Sequence, residues 1–451
     1  MRQNILSKNR KGFSQIILLG IVAILVLVGA GGFLLLPEKE KSIPNIPIQP
    51  SNPQTQSELK LTENIQPASQ NVEIVKNVDR VPNTDSSAVQ IGKRFSNGAC
   101  DGSGKKLMTT APMNPEDVQM ILPYGTMVGA HVIPTSHQYL EPWDRALGRD
   151  KYEVRAAMDA TLYSISRRAQ NVESGEARPE EFQLWFAITC THFYYYDLMT
   201  SLSPELQKIF DEEKRQDDYA YVHIPVKAGQ VVGKIGAQTL DYGVWDTELP
   251  PTTGILVPEH YQWDSFRVYL ADPLNYYTDE LKKIMLSKYV RTAEPISGKV
   301  DYDIDGKLIG GWFLEGTGNL TGGNFQKYWA GHLAIAPEYL DPSVYLISVG
   351  DFAGEEKQFS IPRNAPDPKS VGVETGLVKY DLLPWQYLKS DGTIWDWKKY
   401  AKGLKIVNGH QNFGCVAIQM IESRKLKFEG FKGKSCASVS GFTSAAKIYE
   451  R

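Results

Sequence analysis

The chain opens on a sharp contrast in polarity. Residues 1–15 are polar and include Arg2, Lys8, Arg10 and Lys11, whereas residues 16–36 read IILLGIVAILVLVGAGGFLLL, without a charge or a proline. At about 1.5 Å per residue, a helix of that length reaches roughly 30 Å, the thickness of a bilayer's hydrocarbon core. Basic residues are retained on the cytoplasmic side. The pattern therefore predicts a cytoplasmic basic tail over 1–15 and a transmembrane anchor over 16–36. The protein would be single-pass in the cell membrane, with everything after Leu36 outside the cytoplasm. A cleaved signal peptide is the nearest alternative, with Gly29 to Gly32 as its small residues. Its apolar core ordinarily spans about 7–15 residues, and here Phe33 to Leu36 prolong the run. Over 37–95 the pattern changes again. Pro44, Pro47, Pro50, Pro53, Pro67 and Pro82 are interspersed with Ser, Asn, Gln and Thr, and no aromatic residue lies between Phe33 and Phe95. Such a segment buries too little apolar surface to offset its chain entropy, which predicts a semi-extended stalk and order beginning near Ser96.

From there, short apolar runs broken by turn residues read as strands. The stretch 121–132 places β-formers around Gly125 and Gly129, 152–165 reads as strand, turn and strand, and 182–189 reads as a further strand. A short helix is predicted over 204–214 with Ser203 as its cap, and a turn followed by a strand over 226–236. In the second half, Leu281, Ile284 and Met285 have helical spacing within 279–288. The segment 300–309 predicts a hairpin about Asp305-Gly306. Strands are predicted at 345–349, 394–397, 416–421 and 426–431, with Ser423, Arg424 and Lys425 turning the last two. The fold class is thus mainly β: a first β domain over 96–246 and a C-terminal β-rich domain over 247–451, a small barrel or sandwich. Residues 301–306 begin like an EF-hand loop, but its twelfth position is Trp312 where a bidentate Glu belongs, and the hairpin is the better reading.

Composition narrows the function. With 42% hydrophobic and 22% charged residues the chain has ordinary globular values. A net charge of −3 argues against a nucleic-acid partner, which needs a basic surface. Twenty-three tyrosines and nine tryptophans suit β domains. Trp312, Trp329, Trp385, Trp395 and Trp397 could stack on sugar rings, although core packing is the commoner use of Trp. The four cysteines, Cys100, Cys190, Cys415 and Cys436, form no C-x-x-C motif, so neither a zinc ribbon nor a thioredoxin-type site is indicated. Outside the cytoplasm thiols pair. Cys415 and Cys436 flank the strand pair of 416–431 and are expected to be bridged; Cys100 and Cys190 remain as a pair by default, without local support.

The order of motifs over roughly 98–246 resembles the lysostaphin-like peptidase family (M23) and the related biotinyl/lipoyl hammerhead domains. Val154, Arg155 and Ala156 through Leu162 are similar to the family's V-x-A-x-x-x-G-x-V strand pair, with Ala160 near the usual Gly. Val226 to Gly236 is similar to its late V-x-x-G-x-x-x-G-x-x-G strand. The resemblance implies a β domain acting on peptidoglycan through a zinc held by H-x(3)-D and a late H-x-H. In this sequence His131 stands at the first His, Thr135 where the Asp belongs, and His137 follows. Asp197 takes the place of the His in a Y-x-H-L segment. Asp241 and Gly243 stand where H-x-H belongs, and the chain contains no H-x-H. A catalytic zinc needs three protein ligands and an open position. His131, His137 and Asp197 are the candidate metal ligands, with Asp241 and His192 as further members of an unconventional set. The alternative is that both histidines are ordinary strand-end residues.

These departures predict a non-catalytic M23-like domain that binds cell wall or another surface polymer, with no resident cofactor. The runner-up is an active zinc endopeptidase acting on peptidoglycan cross-bridges. A third reading is a pseudopilin-like structural protein, because Lys11-Gly12-Phe13-Ser14 resembles a prepilin processing site, although Ile17 stands where that family has Glu.

Overall fold

The computed structural model describes residues 87–170, 177–322 and 327–451. The anchor at 16–36 and the stalk up to residue 86 lie outside the described residues. Among the described residues, no helix is long and apolar enough to cross a membrane. They belong to one compact unit and are mainly β.

The description begins earlier than Ser96, with helix α1 (Ser87–Phe95). Val89 buries itself in the fold, and Gly92 lies so close to the carbonyl of Cys190 that an added Cβ would sit 1.6 Å from its oxygen. Glycine is what allows the helix to dock there.

Ten strands follow: β1 (Val118–Leu122), β2 (Gln138–Pro142), β3 (Tyr152–Arg155), β4 (Ala160–Gln170), β5 (Ala177–Ala187), β6 (His192–Met199), β7 (Ser201–Leu202), β8 (Tyr219–Val226), β9 (Val231–Ile235) and β10 (Leu240–Asp246). Seven of them form an antiparallel sheet in the order β1-β2-β10-β6-β5-β4-β8, and the other three form a small sheet, β3-β9-β7. Side chains alternate across a strand. One face of the large sheet, with Leu184, Phe186, Tyr194, Tyr196, Leu240, Tyr242 and Val244, packs on Val154, Val232 and Ile235 of the small one. The opposite face carries Trp185, Tyr195 and Trp245 and, further along, Asp197 and Asp241. Helix α2 (Pro204–Glu213) has Ser203 as its cap, accepting from the Leu206 N–H. Helix α3 (Asp279–Lys288) has the bounds that its apolar spacing predicts, capped by Thr278.

The C-terminal half contains β11 (Gly310–Leu314), β12 (His332–Pro337), β13 (Tyr345–Phe352), β14 (Glu355–Ser360), β15 (Leu377–Leu382), β16 (Trp385–Leu388), β17 (Lys405–Asn408), β18 (Gly414–Glu422), β19 (Lys425–Lys432) and β20 (Lys447–Glu450). Eight of these form an antiparallel sheet, β14-β13-β12-β11-β20-β19-β18-β15. A bridge between Ser360 and Leu383 brings its two edges together, giving a nearly closed barrel around Trp312, Ile335, Ile347, Tyr380, Ile418 and Phe428. β16 and β17 pair as a separate hairpin. Disulfides join Cys415 to Cys436 and Cys100 to Cys190.

Three expectations need correction. Beyond β1, residues 123–132 form turns with only isolated bridges, Tyr124 to Gly298 and Val128 to His131. Residues 300–309 keep the Asp305-Gly306 turn, with Gly306 at φ 71°, but have no strand ladder. The Arg451 guanidinium instead takes the carbonyls of Ile304 at 3.0 Å and Ile309 at 2.5 Å. Residues 394–397 keep one bridge, Leu388 to Ile394. Trp395 then turns the chain locally by donating from Nε1 to the Lys399 carbonyl at 2.7 Å.

Candidate functional site

Register brings the polar cluster together. Asp241 on β10 stands opposite Asp197 on β6 and, on its other side, opposite Tyr139 on β2. Two carboxylates on neighbouring strands repel unless a cation intervenes. Arg168, near the end of β4, supplies it. Its Nη2 donates to Asp197 Oδ1 at 2.5 Å and its Nη1 to Oδ2 at 3.0 Å, a bidentate geometry that a guanidinium fork favours. Its Nε lies 3.8 Å from Glu181. Asp197 also accepts from Gln183 Nε2 at 2.9 Å and from the Leu198 N–H at 2.6 Å, and Trp185 holds Gln183 in place through Nε1 at 2.9 Å.

The histidines approach from the other side. His137, one residue before β2, places Nε2 3.4 Å from Asp241 Oδ2 and 3.1 Å from the Tyr139 hydroxyl. The His131 ring meets it edge-on with centroids 5.4 Å apart. Burial lowers His131 to about 4, with Arg267 adding to the shift. Burial also holds His137 well below its ordinary value, helped by His131, Arg267 and Arg168. Asp241 is pushed well above the usual carboxylate range, first by burial and then by Asp197, against the pull of Arg168. Burial thus disfavours the charged form of both His137 and Asp241, and Asp241 Oδ1 is buried without a hydrogen-bond partner.

The structure thus gathers His131, His137 and Asp241 at one place and commits Asp197 to Arg168. His192 lies elsewhere. It is fully buried, its Nδ1 accepts from the Lys106 N–H at 3.4 Å, and its ring packs on Tyr276. Thr135 is buried in the loop before β2, its hydroxyl donating to the His137 carbonyl at 3.4 Å. Among the described residues, no three His, Cys, Asp or Glu side chains are placed to share a metal ion. The oxygens of Asp197, which a zinc would need, already accept from Arg168, Gln183 and Leu198. The residues present do not fit the zinc that the family resemblance implies. Sequence reasoning passed over Arg168; its only signal was a pair of arginines, Arg167 and Arg168, inside a strand pattern.

Above this cluster the sheet is aromatic. Trp185 stacks on Tyr195 at 4.8 Å and on Phe266 at 5.0 Å, and Phe266 in turn meets Phe95 of α1 at 3.5 Å. The segment Pro258–Tyr269 and α1 fill this part of the sheet face from within the chain. Of the tryptophans considered for sugar stacking, Trp312 and Trp329 are core residues, while Trp385, Trp395 and Trp397 are half-buried.

No family model and no curated protein matches the sequence. Among solved structures, the chain is similar to that of Helicobacter pylori Csd3 in an orthorhombic crystal, at 14% identity and a TM-score of 0.19. The match covers 41% of this chain and 40% of that one, less than half of the other protein's length. At that TM-score the likeness defines no common fold.

Proposed function

We propose that this chain is a membrane-anchored protein whose folded part lies outside the cytoplasm and carries a non-catalytic M23-like domain that holds cell wall or another surface polymer. The observation that carries this reading is the guanidinium of Arg168, lying bidentate on Asp197 and facing Asp241. These are positions where the family resemblance puts metal chemistry. A zinc hydrolase needs three ligands, an open position and a base. Here an internal cation offsets the carboxylate charge without making a nucleophile. The apolar run of 16–36 and its basic flank support the anchor.

A zinc endopeptidase is the competing reading. It is favoured by the neutral imidazoles of His131 and His137 beside the unpartnered Asp241 Oδ1. One experiment separates the two. The full chain in non-ionic detergent is incubated with isolated cell wall and excess zinc. We expect it to sediment with the wall and release no soluble fragments. Zinc-dependent release that His131→Ala abolishes would establish the enzyme instead.

A further inference from the structure

A cleft of about 580 Å³ opens beside the three-stranded sheet. Ala111 and Met113 lie in it, and Lys151, Arg155 and Lys234 face Glu153 across its walls. Alternation along β3 puts Glu153 and Arg155 on one side of the strand, with Lys151 just before it, and Glu153 stands opposite Lys234 of β9. Glu153 is engaged by the Arg155 guanidinium, whose Nη1 also donates to the Gly229 carbonyl at 3.1 Å. The ammonium groups of Lys151 and Lys234 have no ion-pair partner among the described residues. Two ammonium groups without an ion-pair partner therefore look into a recess whose five charged lining residues, Lys151, Arg155, Lys234, Asp117 and Glu153, leave it net positive.

A second feature lies at its edge. Trp143 is 62% exposed, the most exposed of the large apolar side chains described. Its backbone N–H donates at 2.7 Å to the carbonyl of Asp117, which lines the cleft. Two residues on, the Arg145 guanidinium lies 5.4 Å from the centre of the Trp397 ring. Arg145 is held by Glu141 and covers the half-buried Trp397, so Trp143 is the open indole face beside the two lysines.

We propose that the cleft and its rim bind a strand of acidic polysaccharide. Its anionic groups would sit between Lys151 and Lys234, and a sugar ring would lie against Trp143. The apolar face of a pyranose ring stacks on an indole, which combines apolar area with a polar edge. Recessed positive charge concentrates anions within about a Debye length. Lysines inside a concave cleft reach a flexible strand but not a planar bilayer. The proposal rests on the polymer-binding function above and names the chemistry of the polymer.

The test uses the full chain in non-ionic detergent, with polygalacturonate and neutral dextran on beads and isolated cell wall in parallel. We expect retention on polygalacturonate that salt reverses, and none on dextran. The double variant Lys151→Glu/Lys234→Glu and the single variant Trp143→Ala should each weaken retention by about tenfold, at an unchanged melting temperature because these side chains are exposed. Equal retention on dextran, or a double variant that binds polygalacturonate like the wild type, overturns the site. If the wild type binds wall and the variants bind it equally well, this site alone is rejected. If the wild type binds no wall at all, the polymer-binding function fails with it.

Discussion

Arg168 holds both carboxylate oxygens of Asp197, at 2.5 and 3.0 Å, from the opposite edge of the strand that separates them. Asp197 is 10% exposed and Arg168 36%, so the pair stands at the border between a buried and a surface ion pair. Removing one partner of a buried pair costs about 3–5 kcal/mol, and an exposed pair is worth about 1 kcal/mol or less. Arg168→Gln should therefore cost about 2 kcal/mol, because the nearly buried Asp197 carboxylate is left without its cation. Adding Asp197→Asn should restore part of the loss. Thermal unfolding of the two variants checks this, and a single variant as stable as the wild type would show that the guanidinium is not what holds the cluster.

The histidines set the acid side of stability. Burial lowers His131 to about 4 and His192 to about 3, and His332 to about 4 despite backbone hydrogen bonds that oppose the shift. A base with a depressed folded pKa contributes stability above its unfolded value, near 6.5, and loses it as pH falls toward the folded one. Glu338 acts in the opposite sense. Burial raises it to about 7, against its hydrogen bonds with Tyr387 and the backbone of Asp341 and Leu340, so its contribution fades as pH rises through 7. The melting temperature should fall between pH 6.5 and 4. His192→Gln should flatten that fall, and Glu338→Gln should steepen it. A pH profile unchanged by His192→Gln would contradict the burial argument.

What was legible in the sequence was local. Helix α3 and the Ser203 cap of α2 follow from spacing and capping within a few residues, and the Cys415–Cys436 bridge follows from a single hairpin. What was not legible depends on partners far along the chain. Arg168 reaches Asp197 across 29 positions. Cys100 meets Cys190 across 90. The segment 300–309 loses its hairpin because Arg451, more than 140 positions away, takes its carbonyls. His131 and His137 were legible as neighbours, but the commitment of Asp197 to a guanidinium had no signature in spacing.

Gly92 and the Cys100–Cys190 bridge dock the same helix. A methyl at Gly92 would overlap the Cys190 carbonyl oxygen, and backbone does not yield as a flexible side chain does. Gly92→Ala should push α1 outward, exposing Val89 and separating Phe95 from Phe266, at a cost of about 2–3 kcal/mol. Hydrogen exchange over 87–95 should rise while the barrel strands stay protected. Replacing Cys100 by Ser removes a closure of 90 residues, worth about 4–5 kcal/mol by the chain-entropy model, against about 3 for the 21-residue closure at Cys415. If Cys100→Ser proves milder than Cys415→Ser, loop length is not what sets these costs.

Arg451 illustrates how much one buried side chain can organise. It is 4% exposed. Its guanidinium lies 3.9 Å from the centre of the Trp312 ring, pairs with Asp303 at 3.3 Å, and satisfies the carbonyls of Ile304, Lys307 and Ile309. Those carbonyls have lost the strand partner that a hairpin would have given them, and a buried acceptor left unpaired costs about 1–3 kcal/mol. Asp303, raised by burial and held down mainly by Arg451, would become an uncompensated buried carboxylate. Arg451→Met keeps an apolar stem over Trp312 but removes every donor. It should destabilise the barrel by about 3–5 kcal/mol, read as a lower denaturant midpoint. Asp303→Asn in the same chain should recover less than half of that loss, because the carbonyls stay unsatisfied. Full recovery would mean that the ion pair alone, and not the backbone it organises, carries the stability.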